Sequence, residues 1–310
     1  MVSIVHAARD IARVRQISLV LVRHGFGEIA RRVGFGREKK AKEHGPTADD
    51  EIPAEDEARG AQARQQTSTA VRARRVLEDL GPSFVKLGQI ASTRADVLPP
   101  DLLTELKKLQ DSVPEVPFEQ IKAQVERSLG AELTEVFESF ESKPLAAASI
   151  AQVHRAVLKG DDGPLDVVVK VQRPGIAETI ASDLDLLHTF AALIERTIPE
   201  SKIYNPVGLV QQFDKAIIAE LDFATEADNA VRFSQNFESF RNVRFPKVYK
   251  QASSKHVLTL EFIDGKKVYD ALSAGYDGKK LARISLDVIV KQIFEDGFFH
   301  ADPHPGNVLV

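Results

Sequence analysis

Asp302 and Asn307 stand five residues apart in the run Phe298-Phe299-His300-Ala301-Asp302-Pro303-His304-Pro305-Gly306-Asn307. The run leaves a helical pattern near Gly297 and enters the apolar residues Val308, Leu309 and Val310. Pro303 and Pro305 stiffen the connection, so an aspartate and an asparagine are held at a fixed spacing. That spacing suits phosphoryl transfer, in which the aspartate orients a hydroxyl nucleophile and the asparagine binds magnesium. The competing reading is a plain helix-to-strand loop. Such loops seldom combine His, Asp, two prolines and Asn between two apolar blocks. A third reading makes His300 and His304 metal ligands with Asp302, but the prolines disfavour the helix that an i, i+4 pair would need.

Lys170 lies inside the apolar run Leu165 to Val171. Strand alternation places it on the face opposite Val169 and Val171. An ammonium among valines must be paired or reach water, so Lys170 is either a snorkelling edge lysine or a working cation. Further on, Glu220, Asp222, Glu226 and Asp228 fall within one helical pattern spanning about 207–238. Asp222 and Glu226 are four apart and share a face of that helix. Its apolar residues Phe213, Ile217 and Leu221 predict partial burial, which favours pairing of one carboxylate with a cation. The order strand lysine, helix glutamate, Asp/Asn loop is that of a kinase-like nucleotide site. No G-x-G-x-x-G precedes Lys170 and no G-x-x-x-x-G-K-[ST] occurs. Gly25, Gly27 and Ala30 make only a chance match in a basic helical segment. The place of the phosphate loop holds Ala146, Ala147, Ala148 and Ser149, and alanine takes positive φ less readily than glycine, which predicts a stiffer loop.

The elements that must position these residues read as follows. Residues 1–36 form an amphipathic helical segment; residues 1–40 carry nine Lys/Arg and three Asp/Glu, a local balance of +6. Its apolar stripe either docks on the protein's own core or lies on an anionic membrane surface. Residues 37–63 are a flexible charged linker, with seven Asp/Glu against two Lys/Arg over 41–60. Residues 64–142 are helical: a helix over 64–80, a second over 83–95 with Ser83 as its N-cap, then helices near 101–110 and 117–128. Residues 143–264 carry a strand, the turn Gly160 to Pro164, the Lys170 strand, long helices, and strands at 247–249 and 256–262. A helix over about 278–296 leads into the Asp302 loop within the last segment, 265–310.

With 310 residues, 43% of them hydrophobic and 28% charged, the chain can bury a sizeable core. A net charge of -4 gives no reason to expect nucleic acid. The absence of cysteine excludes disulfides, zinc-thiolate and iron–sulfur sites and a cysteine nucleophile. No run approaches the roughly 20 apolar residues of a membrane span, and no secretion signal is read at the N-terminus.

These residues resemble the UbiB/AarF family of atypical kinases, linked to coenzyme Q biosynthesis. Lys86-Leu87-Gly88-Gln89 is similar to its Lys-x-Gly-Gln signature. Ala146 to Ser149, followed by Ile150-Ala151-Gln152-Val153-His154, is similar to its alanine-rich nucleotide loop. Val168 to Gly175 resembles its lysine strand. Glu220-Leu221-Asp222-Phe223 resembles its Glu-x-Asp signature, with Glu226 at the place of the glutamate that pairs with the lysine. His300 to Asn307 resembles its catalytic loop. The resemblance covers about residues 66–310.

It implies an α+β, protein-kinase-like two-lobed fold with an N-terminal helical extension and an incomplete large lobe. It further implies ATP and Mg2+ as cofactors, Asp302 as the catalytic residue and Asn307 as a metal ligand. Nucleotide would be held by Ala146, Ala147, Ala148, Ser149, Lys170 and Glu226, and by a hinge at Leu260 to Ile263 through the backbones of Glu261 and Ile263. Lys86, Gln89, Glu220 and Asp222 would be regulatory, with Lys86 paired to Glu220 or Asp222 over the ATP site, where a peptide would otherwise bind. The implied activity is an ATPase or small-molecule kinase in ubiquinone or isoprenoid-lipid metabolism, with nucleotide and an anionic membrane surface or isoprenoid lipid as partners rather than a protein substrate. The implied location is cytoplasmic or peripheral at the inner membrane. The family's Asp-Phe-Gly motif would follow Val310, so the expectation is a C-terminally truncated form, with a non-catalytic nucleotide-binding membrane-associated scaffold as the alternative.

Overall fold

The computed structural model describes residues 2–28, 55–56, 58–59, 61–62, 67–92, 98–109, 114–197, 199–300 and 307–310, with side chains in the first helix from Arg13 onward. The chain divides into two compact units, and it crosses between them several times. One holds residues 1–115, 147–151 and 173–221; the other holds 116–146, 152–172 and 222–310. The expected linker at 37–63 lies almost wholly outside the described residues.

The first unit is helical. It contains α1 (Val2–Arg23), α2 (Thr69–Leu80), α3 (Pro82–Ala91), α4 (Pro100–Leu106), and later the contacting pair α7 (Ile176–Thr197) and α8 (Pro206–Glu220). The amphipathic pattern of α1 is used internally over its described part: Ile17, Val20 and Val22 are buried, and the helix packs on α2 and α7. Ser68 caps α2 by accepting from the Val71 N–H at 3.3 Å. Gly81, at φ 96°, turns the chain so that Pro82 begins α3. Gly81 is therefore the N-cap expected at Ser83, which instead lies inside α3, buried, with no partner for its hydroxyl among the described residues. Gly88 lets α3 approach its neighbours closely. A Cβ there would stand 2.3 Å from Leu109 Cδ1 and 2.7 Å from Leu77 Cδ1. Val85, Leu106 and Leu109 form the buried cluster at this contact.

The second unit is built on a sheet. α5 (Phe118–Leu129) ends at Gly130 in the left-handed conformation, and the single turn α6 (Leu133–Val136) follows. The strands are β1 (Phe137–Phe140), the two-residue β2 (Ala146–Ala147), β3 (Ala151–Leu158), β4 (Leu165–Gln172) and β5 (Val257–Glu261). The main path runs β1-β3-β4-β5. β4 and β5 are antiparallel, with Lys170 opposite Leu258. Val167, Val169 and Val171 point into a core shared with Ile121, Val125, Leu158 and Val257. At roughly 1.5–3 kcal/mol per fully buried aliphatic side chain, this face fixes the register of β4.

On the same face of β3 as Ala156 and Leu158, a polar chain is buried beside this core. Gln152 accepts from the Val116 N–H at 2.8 Å and donates to Val116 O at 3.3 Å. His154, fully buried, meets Gln152 Nε2 at 3.1 Å and Glu141 O at 2.8 Å. The carbonyl can only accept, so His154 carries its proton on Nδ1 and accepts at Nε2. It is a packed histidine.

The helix expected over 207–238 is two helices. α8 ends at Glu220, and α9 (Phe223–Asn236) starts afresh after Leu221 and Asp222. Among the described residues 247–249 make only the bridge Val248 to Leu260. β1 escaped the sequence reading because Phe137-Glu138-Ser139-Phe140 is too short to show alternation. α10 (Val268–Ser273) and α11 (Gly278–Val290) follow, and the last turn of the expected 278–296 helix widens into a π-turn over Lys291–Glu295.

Candidate functional site

In the second unit, the outer face of β4 offers Lys170 to α9. Its Nζ donates to both carboxylate oxygens of Glu226, at 2.9 Å and 2.7 Å. The same ammonium lies 4.6 Å from the ring centroid of Phe223. Glu226 occupies the first turn of α9, where the helix dipole favours a carboxylate. The side chains are 28% and 44% exposed, so the pair adds only about 0–1 kcal/mol to stability. Its value is geometric: two oxygens and a ring fix one ammonium in one place.

The start of α9 is itself pinned. Asp222 accepts from the N–H groups of Ala224 at 3.0 Å and Thr225 at 3.3 Å, and the Phe223 N–H donates to Lys255 O at 3.1 Å. Asp222 is thus a helix cap and not, as read from the sequence, a member of the same helical face as Glu226. Asp222→Ala is expected to cost about 1 kcal/mol of unfolding free energy, and Asp222→Asn close to nothing, because asparagine caps as well as aspartate. Equal losses in urea-unfolding measurements on the two variants would refute the capping role.

The hinge candidates sit at the end of β5. The Glu261 N–H donates to Lys247 O at 2.8 Å and the Phe262 N–H to Asp166 O at 3.0 Å. The Glu261 carboxylate is turned back, pairing with Arg244 and accepting from the Lys247 N–H at 3.3 Å. Burial, and then the charge of Glu261, push the Tyr249 hydroxyl above its usual range, so it stays neutral beside this carboxylate. Ile263 is half-buried just beyond the strand.

Asp302 lies outside the described residues, as do His304 and both prolines of its loop. The flanks of the loop are described. Gln292, buried in the π-turn, accepts from the Phe298 N–H through its backbone at 3.0 Å and from the His300 N–H through its side chain at 3.1 Å. Phe298 packs 4.6 Å from Phe233 of α9 and under the guanidinium of Arg232. Beyond the loop, Asn307 opens the segment whose Val310 exchanges two hydrogen bonds with Lys266, at 2.9 Å and 2.8 Å. Sequence reasoning missed Gln292 and Phe223. A glutamine in an apolar helical pattern was the available signal for the first, and an aromatic beside Asp222 for the second.

In the first unit, Lys86 Nζ pairs with Glu220 Oε1 at 2.5 Å. Of the two carboxylates open to Lys86 in the sequence, Glu220 holds it. Gln89 donates to Leu109 O at 3.4 Å. In the alanine-rich loop, Ala146 and Ala147 form β2, Ala148 is half-buried and Ser149 is buried. Among the described residues no cluster of three or more His, Asp or Glu could hold a metal, and no helix is long and apolar enough to cross a membrane.

Residues 108–310 match the ABC1 atypical kinase-like domain. The chain is 44% identical over 242 residues to "Probable protein kinase UbiB" of Marinobacter nauticus, covering 77% of this chain and 44% of that protein. It is 44% identical over 250 residues to the protein of the same description from Azotobacter vinelandii, covering 80% of this chain and 46% of that one. It therefore spans about half the length of the curated relatives it matches. Among solved structures, the complex of Rv3197 with erythromycin from Mycobacterium tuberculosis is similar, with a TM-score of 0.53 at 26% identity over 83% of this chain and 64% of that one.

Proposed function

Because the chain belongs to the ABC1 atypical kinase-like family, here in its UbiB type, we propose that it binds ATP with Mg2+ and acts as an atypical kinase or ATPase in ubiquinone or related isoprenoid-lipid metabolism. The observation that carries this reading is the Lys170–Glu226 pair, an ammonium held at fixed position by two carboxylate oxygens. In phosphoryl transfer the protein contributes mainly positioning and charge, and such an ammonium grips phosphate oxygens. Asp302 is assigned to orient the acceptor hydroxyl. The backbones of Glu261 and Ile263 are assigned to adenine, and Ala146 to Ser149 to the phosphates.

The residues present fit magnesium that arrives with the nucleotide. Asn307 offers one hard amide oxygen, and this ion commonly takes one or two protein ligands and completes its shell with phosphate oxygens and water. Bound there, it would neutralise charge on the transferred group.

Lys86 and Glu220, at 22% and 38% exposure, form a pair worth at most about 1 kcal/mol, so it can open without unfolding the unit. By family resemblance the pair is assigned a regulatory role, which argues for a small-molecule or lipid acceptor, or plain hydrolysis, over a protein substrate. An anionic membrane surface or an isoprenoid lipid is the partner class this implies. The test is calorimetric titration with ATP, with and without magnesium. Binding that needs magnesium and is lost in Asp302→Ala/Asn307→Ala supports the proposal; absence of any nucleotide binding sinks it.

A further inference from the structure

Ala146, Ala147 and Ala148 carry only methyl groups, so the shape of the alanine-rich loop rests on backbone contacts. The Ala148 N–H donates to Ala151 O at 2.8 Å and closes a tight turn, over which Ser149 and Ile150 are buried. Arg173 grips the same turn. It follows β4 directly, three residues after Lys170. Its backbone N–H donates to Ile150 O at 2.9 Å, its Nε to Ala148 O at 2.8 Å and its Nη1 to Pro114 O at 2.9 Å. One planar fork thus joins three stretches of chain: the turn, the end of the lysine strand and the segment at Pro114. Burial pushes the guanidinium below its usual range, yet arginine stays cationic near neutral pH, so both side-chain bonds are charge-assisted. Nη2 is buried and has no hydrogen-bond partner among the described residues.

We propose that Arg173 is a positioning residue that holds the alanine-rich turn in the shape that covers the nucleotide phosphates. The role rests on the nucleotide reading above. It explains how a loop without glycine is kept in one conformation: its carbonyls are tied from the end of the strand that presents Lys170.

The experiment compares the parent chain with Arg173→Met and Arg173→Lys, by amide hydrogen exchange over residues 147–151 and by affinity for Mg-ATP and for adenosine. In Arg173→Met, exchange should speed up. The dissociation constant for Mg-ATP should rise about tenfold, comparable to losing one charge-assisted hydrogen bond, while that for adenosine stays unchanged. Arg173→Lys should recover only part of the loss, since a point-like ammonium does not reproduce a fork that reaches two carbonyls. Should Arg173→Met fail to fold, Arg173→Lys is read against the same criteria. An unchanged ATP-to-adenosine ratio, or both affinities falling together, overturns the role of Arg173 while leaving the nucleotide reading standing. A parent chain that binds neither ligand overturns the nucleotide reading and this role with it.

Discussion

Lys170→Ala is expected to weaken magnesium-dependent ATP binding and hydrolysis on the order of 100-fold, the scale of removing one preorganised donor from a transferring group. The same substitution should leave the unfolding free energy within about 1 kcal/mol of the parent, because the pair it breaks is only half-buried. The combination is diagnostic. A lysine that merely snorkels from an edge strand would lose neither property, and a lysine needed for folding would lose both. Lys170→Arg should not restore function: the two Glu226 oxygens at 2.9 Å and 2.7 Å and the Phe223 ring at 4.6 Å enclose one compact ammonium, which a planar guanidinium does not replace. Nucleotide affinity and hydrolysis equal to the parent in Lys170→Ala would remove the basis of the proposed function.

The largest loss of stability is expected in the first unit. In the first unit, Arg13 Nε donates to Asp183 Oδ1 at 2.6 Å, and its Nη2 donates to Asp183 Oδ2 at 3.0 Å and to Leu80 O at 2.8 Å. The Asp183 side chain is 1% exposed and that of Arg13 15%. Arg13→Met strands a carboxylate away from water, and breaking a buried pair from one side costs about 3–5 kcal/mol. The double variant Arg13→Met/Asp183→Leu should recover most of that loss, since replacing both charges with apolar groups of similar volume is often near neutral. Urea-unfolding free energies of the two single variants and the double variant provide the cycle. A loss below about 1 kcal/mol in Arg13→Met would show that the buried pair does not anchor α1. The anchoring bears on the N-terminal segment as well. Its apolar residues Ile17, Val20 and Val22 are already buried within the unit, so charge reversal at Arg13 is predicted to lower stability first.

The local geometry around Lys170 was legible in the sequence. Alternation in Leu165 to Val171 put Lys170 on the face opposite the buried valines, and the strand does so. Gly88 stands where a Cβ would collide with two leucines, so its place in Lys86-Leu87-Gly88-Gln89 has a packing cause. Other elements were hidden for definite reasons. The periodic apolar residues of 207–238 run straight through the break at Leu221, because Asp222 ends one pattern and caps the next without Gly or Pro to mark it. The π-turn at Lys291–Glu295 keeps nearly helical spacing while changing which residues face the loop, and so concealed Gln292.

The sequence by itself determined which residue types are present, their spacing, and, where an element runs unbroken as in β4, which face each residue takes, because backbone geometry converts spacing into direction over a few residues. Only the tertiary structure decided the partners. Lys86 could have taken Glu220 or Asp222, and takes Glu220, while Asp222 caps α9. Lys170 takes Glu226, 56 residues away, and Arg13 takes Asp183, 170 residues away. An ion pair forms only within a few ångströms, and over such separations the distance between two side chains is set by how whole helices and strands pack, which no local period encodes.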